Sequence, residues 1–77
     1  MAESDAEWAE KAKRLLRAEM VKRGVTYDDL VAKLAAMGIE ETAENLRNKV
    51  ARGKFMAAFM LQCLRAIGVE TLRLEDA

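Results

Sequence analysis

The chain has 77 residues, enough for a single domain spanning 1–77 that buries about 60–65% of the surface its unfolded form exposes. Its 13 basic and 13 acidic side chains cancel, which argues against a wholesale polyanion binder. Histidine is absent, which removes the usual general base near neutral pH and the commonest metal ligand.

Four glycines and no proline punctuate the chain. Gly24, Gly38, Gly53 and Gly68 fall 14, 15 and 15 residues apart, each closing a segment of helical period. The expected fold is therefore all-α, a four-helix, helix-turn-helix-like bundle. Helix 1 starts at Ser4, with Glu7 completing a capping box, and runs to about Arg23. Its stripe of Trp8, Ala12, Leu15, Leu16 and Met20 is predicted to face the core, with Trp8 as an anchor. Helix 2 starts at Thr26, with Asp29 as the box acid, and buries Leu30, Val31, Leu34 and Met37. Helix 3 is predicted from about Thr42 to Arg52, with Ala43, Leu46 and Val50 inward. Helix 4 runs from about Phe55 to Ile67. The tail from Val69 to Leu74 is expected to be short and extended, folded back on the bundle, with 75–77 frayed.

Catalysis has no foothold in this inventory. A lone Cys63 without histidine forms no nucleophile–base pair, and zinc sites need several Cys or His ligands. The isolated glycines form no phosphate loop, and Asp28–Asp29 suits a helix N-terminus. No enzyme activity, metal, cofactor or small-molecule substrate is expected. Cys63 excludes an intramolecular disulfide and fits a reducing compartment. With no leader and no apolar run of the ~18 residues a membrane span requires, the expected location is cytoplasmic, away from membranes.

Helix 3 carries the recognition signal. At about 100° per residue, Asn45, Asn48 and Arg52 lie opposite Leu46 and Val50, with Lys49 and Glu44 on the flanks. Asparagine stabilises an exposed helix less than alanine or lysine, so stability does not explain two of them above an arginine. Recognition does, because asparagine pairs bidentately with adenine in the major groove and arginine with guanine. Lys49, Arg47 and Lys54 would add phosphate contacts. A second basic strip, Lys11 to Arg23, holds six bases against Glu19 alone. Glu19 falls within helix 1's apolar stripe, where an unpaired charge is costly, and Arg47 is its expected partner in a structural ion pair.

Short strings in this chain resemble the Cro/phage-repressor class of helix-turn-helix domain. They are Arg23-Gly24-Val25-Thr26, Leu30-Val31-Ala32-Lys33-Leu34, Ala51-Arg52-Gly53-Lys54 and Leu64-Arg65-Ala66-Ile67-Gly68-Val69. The resemblance implies a supporting helix, a recognition helix and a closing helix, hence binding of double-stranded DNA in transcription regulation. The Gly38–Gly53 interval is longer than the repressor spacing by roughly one helical turn. The whole chain is also similar to an uncharacterised group of short bacterial proteins sharing Leu46-Arg47-Asn48-Lys49, Arg52-Gly53-Lys54-Phe55 and Gln62-Cys63-Leu64, a group that brings no activity with it.

A second reading comes from helix 4, which is apolar over about two-thirds of its circumference. Phe55, Phe59, Cys63 and Ala66 are expected to face the core, leaving Met60, Leu61 and Leu64 as a protein interface. That surface would serve a homodimer or a docked protein partner.

Overall fold

The structure, a computed structural model describing residues 4–77, is all-α. Its helices are α1 (Asp5–Lys22), α2 (Tyr27–Ala35), α3 (Ala43–Arg52) and α4 (Ala57–Ala66), followed by a short 3-10 turn at Leu74–Asp76. Residues 1–3 of the expected 1–77 domain lie outside the described residues.

Local chemistry sets the helix boundaries. Ser4 accepts a hydrogen bond from the Glu7 backbone N–H at 3.2 Å, opening α1. At α2 both halves of the box form: Thr26 Oγ1 accepts from the Asp29 N–H, and Asp29 Oδ2 accepts from the Thr26 N–H at 3.0 Å. Thr42 caps α3 by accepting from the Asn45 N–H. The start of α4 differs from expectation. It begins at Ala57, two residues late, on an N-cap Met56 that offers no side-chain acceptor.

Leu16, Met20, Leu30, Leu34, Leu46, Val50, Phe59, Cys63, Leu64 and Ile67 form one buried cluster. α3 packs on α1 and α2, and α4 packs on the same two helices from another side. Two expectations about this core fail. Met37 is exposed beyond the end of α2. Trp8 is 57% exposed, with Lys11 Nζ lying 4.3 Å from its ring centroid. The neighbouring residue explains why.

Gly53 closes α3 in the left-handed conformation, at φ 68°, and is itself buried. A Cβ built there would lie 2.4 Å from the Ala9 carbonyl oxygen and 3.4 Å from the Ala9 Cβ. Ala9 therefore stands where α1 meets the end of α3, while Trp8, about 100° round the helix from it, lies at the surface.

The tail is short and irregular before its 3-10 turn. Leu72 packs partly against the core, and Leu74 points outward. In that turn the Asp76 N–H donates to the Arg73 carbonyl.

The close approach at Gly53 has a measurable cost. Gly53→Ala is expected to lose about 2–4 kcal/mol, from a strained left-handed alanine plus the clash with the Ala9 backbone. Gly38→Ala, whose Cβ meets nothing within 4 Å, carries only the conformational penalty of about 1–2 kcal/mol. Thermal unfolding followed by circular dichroism should separate the two midpoints by several degrees, and equal losses would contradict the α1–α3 contact.

Candidate functional site

The roll of α3 about its own axis decides which side chains it presents. Leu46 and Val50 are fully buried and Ala43 is half-buried against the core. Asn45, Asn48 and Arg52 consequently stand on the outer face, all exposed, with Glu44 beside them. The Arg52 Nε donates to the Asn48 carbonyl at 3.3 Å, laying the guanidinium along the rod beside the Asn48 side chain. Lys54, just past the left-handed turn, is also exposed. Four of the five expected recognition residues are thus exposed, three on the outer face of α3 and Lys54 just beyond its end.

The fifth is differently placed. Lys49 is half-buried, forms an ion pair with Glu41 and lies 5.0 Å from the Phe59 ring centroid. Its charge is paired with Glu41 in the crevice between α3 and α4, apart from the outer face that carries Asn45, Asn48 and Arg52. That crevice, about 440 Å³, is lined by Arg52, Lys54, Phe55 and Phe59, among others. The two rings pack edge to face at 5.3 Å.

The expected Glu19–Arg47 pair is not formed. Glu19 bonds Lys22 Nζ at 3.1 Å and Arg23 Nε at 3.3 Å, both one helical turn away on its own face. These i+3 and i+4 partners are legible in the sequence, and they satisfy the acid without a second helix. The hydrogen bond from Lys22 holds the Glu19 carboxyl below its ordinary value. Partial desolvation opposes that shift, while the charges of Lys22 and Arg23 add to it. Arg47 instead lies 5.5 Å from the ring centroid of Tyr27. It is exposed and lines a groove with Tyr27 and Arg17. Arg47 thereby becomes a surface cation flanking α3, a placement that spacing alone did not reveal.

On α4 the expected interface splits. Leu61 is 67% exposed, Met60 is half-buried against the core, and Leu64 is buried. Leu64 lies one residue from Cys63 on the inward side, which is why it joins the core.

Residues 8–72 match the family described as Domain of unknown function (DUF6471). The chain belongs to that family. The DUF6471 match opens at Trp8, in the second turn of α1, and closes at Leu72, the last tail residue packed on the core. It therefore takes in every surface described above. No curated protein and no solved structure matches the chain.

Two further features of this DUF6471 domain bear on its chemistry. Among the described residues no group of three or more Cys, Asp or Glu side chains is arranged to hold a metal ion, and no helix is long and apolar enough to cross a membrane. Cys63 is fully buried; burial pushes its thiol up to about 12, the Glu41 charge adds to the rise, and Lys49 works against it.

Both titrating groups yield tests. Native protein at pH 8 should leave Cys63 unmodified by a thiol reagent until the domain opens, so labelling should follow the unfolding rate; labelling at the rate of a free thiol would contradict the burial. The depressed Glu19 contributes stability that is complete above its ordinary value of 4.5 and is lost as pH falls through its lower folded value. Glu19→Gln should therefore flatten the acid limb of a stability–pH curve while leaving Arg47 in place on Tyr27.

Proposed function

We propose that the domain is a small non-enzymatic DNA-binding protein of the cytoplasm, a transcriptional regulator that reads the major groove with the outer face of α3. The observation that carries this reading is the shared exposure of Asn45, Asn48 and Arg52 opposite two fully buried anchors, Leu46 and Val50. Carboxamides and a guanidinium so placed match the donor and acceptor patterns of adenine and guanine edges. Lys54 and Arg47 flank that face and would engage phosphates, fixing the register.

α2 packs against α3, a contact that a helix-turn-helix requires of its supporting and recognition helices. Their connection, residues 36–42, is longer than the three or four residues usual in that motif. The extra length enters before the Thr42 cap, so it leaves the register of α3 on its Leu46–Val50 anchor untouched.

Exposed apolar side chains on α4 favour a second reading, protein docking. Leu61 on the helix and Met56 at its N-cap are both largely solvent-facing, apolar side chains of the kind that protein contacts cover.

Fluorescence anisotropy with a labelled duplex at two salt concentrations tests the first reading. Affinity should fall steeply with salt. Lys54→Ala should weaken binding to all sequences alike and lower the salt slope by about 1. Asn48→Ala and Arg52→Ala should each cost about 1–3 kcal/mol at a preferred site and relax sequence preference there. No binding at tens of micromolar protein in low salt would end the DNA reading.

A further inference from the structure

The far end of α4 and the tail enclose a groove that nothing above uses. About 450 Å³ of space there is lined by Leu61, Leu64, Val69 and Leu72, with Arg65 and Glu70 among its charged residues. Leu61 is 67% exposed, and Leu74, two residues beyond Leu72, is 77% exposed without lining the groove itself. The groove offers apolar walls, and beside it stands a leucine with nowhere to pack.

We infer that a second copy of this chain occupies the groove, in a two-fold homodimer in which Leu74 of each copy enters the groove of the other. This deepens the docking reading of α4 by naming the occupant, and it rests on that reading rather than on DNA binding. Charge decides for a copy over another ligand. Among the described residues neither Arg65 nor Glu70 forms an ion pair, although the groove holds one of each sign. A site with one positive and one negative side chain attracts no simple ion. It is complementary to itself, because a two-fold axis sets residue i against j and j against i, bringing Arg65 to the copy's Glu70 twice. The apolar side chains then leave water together. Lys54 and Arg52, which line the crevice at the opposite end of α4, take no part in this groove. Dimerisation would therefore leave the outer face of α3 open, and two reading helices on one particle would suit paired half-sites.

Sedimentation equilibrium on the full chain provides the test. The expected mass is twice 8.6 kDa at micromolar protein. Leu61→Glu and Leu74→Glu each should shift it to the single-chain mass, with the helical circular dichroism unchanged because both positions are exposed. Arg65→Glu alone and Glu70→Arg alone should each weaken dimerisation by roughly tenfold, through like charges facing across the axis. The double variant Arg65→Glu with Glu70→Arg should restore it. A single-chain mass at all concentrations for the unaltered protein, or a dimer indifferent to all four replacements, overturns the inference. Duplex binding by such a monomer would leave the α3 reading standing, whereas an intact dimer that ignores DNA would sink that reading alone.

Discussion

Burial of Leu46 and Val50 is the constraint on which the functional surface depends. These side chains sit four residues apart on one stripe of α3, and each is withdrawn completely from solvent. Full burial of such side chains is worth about 1.5–3 kcal/mol apiece, so rolling α3 by one residue, about 100°, would cost much of a small domain's stability. The helix is pinned a second time where Gly53 meets the Ala9 backbone. With its roll fixed and its end clamped, α3 has no choice about what it shows to water. Asn45, Asn48 and Arg52 are then the side chains that the proposed DNA reading assigns to recognition.

Zero net charge conceals an uneven allocation of partners. Glu10 holds Lys13 and Arg14, Glu19 holds Lys22 and Arg23, and Glu41 holds Lys49. Asp29 is occupied by the Thr26 backbone at the α2 cap, which holds its carboxyl below the ordinary value. Exposed pairs of this kind add at most about 1 kcal/mol each. Their larger consequence is spatial: the acids neutralise cations on α1 and in the α3–α4 crevice. Arg47, Arg52 and Lys54, along and beside the outer face of α3, take part in none of these ion pairs. A neutral molecule thus keeps three cations along and just beyond α3 free of ion pairs among the described residues, with Glu44 as the exposed acid among them.

The helical plan was legible because its boundaries are written in local chemistry, the uncapped start of α4 at Met56 excepted. Ser4, Thr26 and Thr42 cap helices where their residue types predict, and Gly24, Gly38, Gly53 and Gly68 all take positive φ at the turns. The outward set on α3 was legible too, since a single helical wheel places it. What the sequence left hidden depends on which helices meet. Periodicity treats every large apolar residue on a stripe alike and so sets Trp8 in the core, whereas its neighbour Ala9 is the residue that meets Gly53 at the end of α3. Glu19 was assigned a distant partner although Lys22 and Arg23 stood one turn away. Leu64 joins the core and Lys49 is drawn into the half-buried crevice beside Glu41, because α4 packs where a wheel drawn for one helix shows open space.

The most direct test of the α3 surface is an amide chemical-shift map of the domain titrated with a short duplex. Shifts and broadening should gather on Asn45, Asn48, Arg52 and Lys54, with weaker effects at Arg47, while Leu61 and Leu74 stay unchanged. Perturbations confined to α4 and the tail, or none beyond those that simple dilution produces, would contradict the assignment of α3 as the reading helix.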